Sequence, residues 1–141
     1  MVKKISKNDN PVVYLDSSVV VALLLNEKGS ATLQKQLKRF KYFVSHHILL
    51  AEVSAVSKRE EVRRSDLSNA ISRISLLYPG PEIQPAIESI FDQYYVRGAD
   101  ALHIASAIHL TNTQVTPVVF VTLDKQQLGI AKNLGLVDGL I

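Results

Sequence analysis

Apolar residues along the chain fall into two patterns. Val12 to Leu15, Tyr42 to Val44 and Val118 to Val121 are short apolar runs rich in β-branched and aromatic side chains, without polar alternation. Such runs predict strands covered on both faces, as in a parallel sheet. Between them apolar residues recur at helical spacing: Val19 and Leu23; Leu33 and Leu37; Leu49, Val53 and Val56; Leu67, Ala70, Ile71 and Ile74; Ile87, Ile90, Phe91 and Tyr94; Ala101, Ile104, Ala105 and Ile108. Strands alternating with such helices predict right-handed crossovers and a three-layer α/β/α sandwich with a central parallel sheet.

Turn-forming residues refine this outline. From Ile48 to Asn112 the chain reads as helical, with one strand candidate around Glu82 to Gln84. Pro79, Gly80, Pro81 and Pro85 bracket that candidate and mark a break between helices better than a strand. A final helix from Lys125 to Leu134 should end at Gly135, with Leu136 and Val137 as a last strand. No repeat, low-complexity segment or interdomain linker is visible, so residues 1–10 read as a frayed polar extension and residues 11–141 as a single domain.

Composition narrows the chemistry. With 141 residues and no cysteine, disulfides, thiolate zinc sites and cysteine nucleophiles are excluded. An apolar content of 47% with 21% charged residues is globular rather than disordered. The longest apolar run, Val19 to Leu25, is far short of the roughly 20 residues that cross a bilayer. Lys3, Lys4 and Lys7 ahead of an apolar stretch imitate a secretory signal, but Asp16 breaks the stretch and no small-residue cleavage site follows. A cytoplasmic location is therefore expected.

Four acids fall where the core pattern does not call for them. Asp16 directly follows the first strand, where open α/β sheets bind ligands, although Asp16, Ser17 or Ser18 equally suits a helix cap. Glu52 shares a helix face with Ile48 and Val56, so it needs a partner: a ligand, water, or an ion pair with a residue such as Arg59. Asp100 lies on the face of Ile104 and Ala107, turned to the sheet, and is also a candidate N-cap; His103, one turn on, suits either substrate contact or a packed core histidine. Asp124 and Thr122 point the same way off the end of a strand, while Asp124 with Gln127 also spells a capping box.

Two strand ends and two sheet-facing helices can bring these acids to one edge of the sheet. Two carboxylates about 4 Å apart repel by roughly 4 kcal/mol at an effective dielectric near 20. A cluster of them must take up protons or bind a divalent cation, and hard oxygen donors favour Mg²⁺ or Mn²⁺ over zinc. The net charge of +3, from sixteen basic and thirteen acidic residues, then becomes informative. Gathering four acids into one pocket leaves a strongly basic remainder, which suits a polyanionic substrate.

Tyr-Leu-Asp16-Ser-Ser, Ala-Glu52-Val-Ser-Ala, Ala-Asp100-Ala-Leu-His-Ile-Ala-Ser-Ala and Val-Thr122-Leu-Asp124-Lys occur in this order and spacing. From about Val12 to Val137 the chain resembles the PIN-domain ribonucleases, specifically VapC-type toxins of toxin–antitoxin pairs. The resemblance implies a parallel sheet between helices and an acidic quartet matched by Asp16, Glu52, Asp100 and Asp124. It also implies RNA cleavage with Mg²⁺ or Mn²⁺, a homodimer, and inhibition by a cognate antitoxin protein. On this basis Asp16, Asp100 and Asp124 would hold one or two ions, Glu52 would complete the shell or orient water, and Thr122 and Ser17 would hydrogen-bond the ligating carboxylates.

RNA would reach the pocket over basic surface, with Arg97 and Lys125 nearest the acids. Lys58, Arg59, Arg63 and Arg64 are interleaved with Glu60 and Glu61 and read equally as a solvated helix face. Tyr42, Phe43, Tyr94 and Tyr95 sit in apolar segments, which points to core or dimer contacts ahead of base stacking. Two other readings compete. A small Mg²⁺-dependent phosphoryl-transfer domain would need an Asp-x-Asp after the first strand, where Ser18 stands instead. A PIN-like module acting only as a binding or scaffold protein would not need the quartet intact.

Overall fold

The computed structural model describes residues 10–140; of the polar extension expected at residues 1–10, only Asn10 falls within them. The strands are β1 (Val12–Leu15), β2 (Tyr42–His46), β3 (Ser75–Leu77), β4 (Val118–Val121) and β5 (Val137–Asp138). They form one five-stranded sheet in the order β3-β2-β1-β4-β5, all parallel. The helices are α1 (Ser17–Leu24), α2 (Ser30–Leu37), α3 (Ile48–Arg59), α4 (Arg64–Ser72), α5 (Gln84–Gln93), α6 (Gly98–Thr113) and α7 (Lys125–Asn133). The expected α/β/α sandwich is present.

Side chains on the central strands alternate between two cores, as the pleat requires. Val12, Tyr14, Val118 and Phe120 face a core closed by α5, α6 and α7, through Ile90, Ile104, Ala107, Ile130 and Ala131. Val13, Leu15, Val119 and Val121 face the other, closed by α1 to α3 through Val19, Val20, Leu33, Leu37, Leu49 and Val53, with α4 at its margin. β4 is buried at every position, which explains its unbroken apolar sequence.

Three local expectations need correction. The segment Pro81–Ile83 near the strand candidate is a single turn of 3₁₀ helix, and the strand lies earlier, at Ser75–Leu77. Ile74, grouped by its spacing with the preceding helix, lies beyond α4, which ends at Ser72. A three-residue strand has too few positions to show a period of two, and pairing with β2 decides its conformation: Val44 opposite Ser75, His46 opposite Leu77. Tyr94, likewise counted as helical, is the extended residue that ends α5.

At the other end the punctuation works as expected. α7 stops at Asn133, one residue before the predicted Leu134, and Gly135 takes φ +91°. Gly135 N donates to Lys132 O and Leu136 N to Ala131 O, the paired bonds of a Schellman cap. β5 then begins at Val137 rather than Leu136. Among the described residues no helix is long and apolar enough to cross a membrane.

Candidate active site

The strand order turns about β1: β2 and β3 lie on one side of it, β4 and β5 on the other. At such a switch point the connections leaving neighbouring strands diverge to opposite faces and open a crevice at the carboxyl ends. Leu15 pairs with Val121, and Asp16 N donates to Val121 O at 3.0 Å. Asp16 and Thr122 therefore meet across the crevice, with Asp124 two residues further on.

Asp16 is only 3% exposed. It caps α1, accepting from Ser18 N at 3.3 Å. The same oxygen, Oδ2, accepts from Ser18 Oγ at 2.6 Å and lies 2.9 Å from Thr122 Oγ1. Thr122 also approaches Gln127 Oε1 at 2.8 Å, and its single proton serves one acceptor at a time. Oδ1 of Asp16 is buried and has no hydrogen-bond partner. Capping and a ligand role are thus compatible, because capping uses one oxygen and leaves the other without a hydrogen bond, 3.9 Å from Nε2 of His103.

Glu52 is not paired with Arg59, which turns instead to Glu60 at 3.0 Å. Its Oε2 accepts from Ser17 Oγ at 3.2 Å, and its Oε1 lies 2.6 Å from Nε2 of His103. His103 is fully buried, so it does not reach substrate. Its Nδ1 lies 2.8 Å from the Tyr14 hydroxyl, which also accepts from His46 N at 3.0 Å. Burial holds the Tyr14 pKa well above its usual value, so the hydroxyl keeps its proton and can donate it to Nδ1. The Nε2 proton of a neutral His103 is then left for Glu52, and a relay of hydrogen bonds from the floor of the sheet fixes that carboxylate.

Asp100 is in the first turn of α6, but the N-cap is Arg97 and neither side chain makes a capping bond. The bland explanation for Asp100 is thereby removed. Its pKa is raised, first by burial and then by the negative charges of Asp16 and Asp124, with Glu52 adding less; Arg97 opposes them. All four acids therefore act within one electrostatic neighbourhood. Asp124 caps α7, its Oδ1 accepting from Gln127 N at 3.0 Å. The reciprocal half of the expected capping box is absent: Asp124 N donates to Thr122 Oγ1, and the Gln127 side chain bridges Thr122 and the Asp100 carbonyl.

The remaining candidates separate clearly. Arg97 and Lys125 are exposed beside Asp100 and Asp124. Lys58, Arg59, Arg63 and Arg64 are a solvated surface at the end of α3 and the start of α4, with Arg63 paired to Asp66. Phe43 packs in the core, and Tyr94 packs while its hydroxyl accepts from Asn133. Tyr42 and Tyr95, read as core or dimer contacts, are 56% and 92% exposed, so neither belongs to the core. Ser18, Gln127 and Tyr14 shape the site but carried no chemical signal in the sequence. Ser18 and Gln127 read as capping residues and Tyr14 as core, and only cross-sheet contacts give them further partners.

Among the described residues no group of three or more acidic, histidine or cysteine side chains is already drawn together as a metal cage. The donors nevertheless suit a hard divalent cation. They are carboxylate oxygens, one of them is buried without a hydrogen bond, and Asp100 is disfavoured as an anion by burial and by its acidic neighbours.

Fold and site together define an α/β protein with a carboxylate pocket at the switch point of a parallel sheet. The PIN domain family matches residues 13–133, from β1 through α7 and across all four acids. The chain belongs to the PIN domain family, whose members are in general metal-dependent nucleases. No curated protein matches the chain significantly.

Proposed function

We propose that the protein is a metal-dependent endoribonuclease that hydrolyses RNA phosphodiesters, and that it is the toxin of a toxin–antitoxin pair. In this reading it works in the cytoplasm as a homodimer and is silenced by a cognate antitoxin covering the pocket. The observation that carries the nuclease reading is the Asp100 carboxyl, its pKa raised by burial and then by the charges of Asp16, Asp124 and Glu52, together with the Asp16 oxygen that has no hydrogen bond. Such a cluster is poised for cations.

Asp16, Asp100 and Asp124 would hold Mg²⁺ or Mn²⁺, with Glu52 completing the shell. A divalent cation there would neutralise the carboxylates and act as a Lewis acid toward a phosphodiester. The chain's own residues do the rest. Ser18 and Thr122 hold one oxygen of Asp16 and leave the other without a hydrogen bond. Ser17 and His103 fix both oxygens of Glu52, which keeps that carboxylate ready to orient a water and take its proton. Arg97 and Lys125 at the rim offer charge to the flanking phosphates.

The test is cleavage of a mixed RNA pool with Mg²⁺, Mn²⁺ or EDTA, alongside a folded Asp100→Asn variant. The expected result is metal-dependent cutting that the substitution lowers at least about a hundredfold. Equal cutting by both proteins would place the chemistry elsewhere. The missing preformed cage favours a second reading, a PIN module that only binds. Undiminished RNA binding without cutting or cation uptake would select it.

A further inference from the structure

The carboxyl edge of the sheet carries a second feature that the acidic pocket leaves unused. His46 ends β2 and is buried, whereas His47 and Tyr78, just beyond β2 and β3, are exposed, Tyr78 at 73%. Their rings form a stacked row. The centroids of His46 and His47 are 4.4 Å apart with planes at 28°, and those of His47 and Tyr78 are 4.5 Å apart at 15°.

Backbone pairing sets this row. His46 is opposite Leu77 in the parallel ladder, and His47 N donates to Leu77 O at 2.9 Å, so positions 47 and 78 emerge side by side. The inner end is anchored as well. His46 Nδ1 accepts from Ile48 N at 2.9 Å, and its backbone N–H joins the relay through Tyr14 and His103 to Glu52. The row thus starts beside the pocket and ends in solvent. With His47 on one face, the exposure of Tyr78 leaves its other face open. Tyr78 also walls a cleft of about 250 Å³ with Glu82, His109, Thr113 and Gln114. Among the described residues no lysine or arginine lines that cleft and Glu82 does, which disfavours phosphate and leaves hydrogen-bonding groups suited to the edge of a base.

We propose that the His47–Tyr78 ring pair is a stacking platform for an unpaired nucleobase, so that the strand presented to the acidic pocket is single-stranded. The platform rests on the nuclease reading for the strand it serves. A base inside a duplex has both faces covered by its neighbours, and only an unstacked base can lie on a protein ring.

The test uses the full chain carrying Asp100→Asn, so that binding is read without turnover. The probes are a single-stranded oligoribonucleotide with 2-aminopurine at successive positions, and a duplex of the same sequence. Tyr78→Ala is expected to weaken single-strand binding about tenfold and to abolish the 2-aminopurine response at one position. Tyr78→Phe, which keeps the ring, should restore both, and His47→Ala should reproduce a smaller loss. With Asp100 intact, the Tyr78→Ala loss should appear in KM rather than kcat.

Single-strand affinity that Tyr78→Ala leaves unchanged, or preferred binding of the duplex, overturns the platform. Metal-dependent cutting by the parent chain in that case would leave the nuclease reading standing. A chain that cuts nothing but whose single-strand affinity follows the Tyr78 ring would support the platform and sink the nuclease reading.

Discussion

At the scale of single residues, the pocket trades stability for chemistry. A carboxyl whose pKa is raised on folding binds its proton more tightly folded than unfolded. Its ionised form therefore costs stability at neutral pH, and the cost disappears as pH falls through the carboxylate range. Asp100 is such a group, raised by burial and by Asp16 and Asp124. Asp100→Asn is therefore expected to melt at a higher temperature than the parent at pH 7.5 without metal, the opposite direction from its expected loss of cutting. The gain should shrink toward pH 4. Melting curves across that range check it, and a lower melting temperature for the variant at pH 7.5 would show that the repulsion is relieved by another route.

At the scale of elements, the first backbone N–H of α3 is held by a titratable side chain just before its N-cap, His47. His46 Nδ1 accepts from Ile48 N, a bond that only the unprotonated ring nitrogen can receive. Burial and the neighbouring His47 and His103 push the His46 pKa down to about 4. The unfolded chain thus binds a proton below about pH 6.5 that the folded one refuses, so stability is lost as pH falls from there toward 4. The expected loss is about 2 kcal/mol after allowance for solvent screening. His46→Asn keeps an acceptor in place of Nδ1 and removes the titration. Urea midpoints should therefore fall with pH in the parent and fall less in the variant; parallel curves would assign the acid sensitivity to other groups.

Across the whole molecule, four of the thirteen acids share one electrostatic neighbourhood, while the chain as a whole carries sixteen basic residues. An ion that binds the folded pocket and not the unfolded chain stabilises by mass action, by about 2.7 kcal/mol at a hundred times its dissociation constant. Mn²⁺ or Mg²⁺ is accordingly expected to raise the melting temperature of the parent, EDTA to reverse the rise, and Asp100→Asn to lose most of it. An equal rise in both proteins would mean that the ion binds outside the pocket.

The sequence by itself determined the sandwich, four of its five strands, the cap at Gly135 and the identity of the acids. Each of these rests on a local cause: an apolar run, a helical period, or a residue type suited to one backbone angle. What it left open were contacts between residues far apart in the chain. Glu52 could read as a partner of Arg59 because both lie on α3, yet its true partner, His103, is fifty-one positions away. β3 is a strand only because β2 lies beside it. Asp16 is both a cap and a bare oxygen because β4 brings Thr122 against one side of its carboxylate and not the other. The row of His46, His47 and Tyr78 likewise exists only through strand pairing. Propensity and periodicity act over a few residues and are written in the chain, whereas the direction a buried polar side chain turns depends on which distant donors the packed sheet delivers to it.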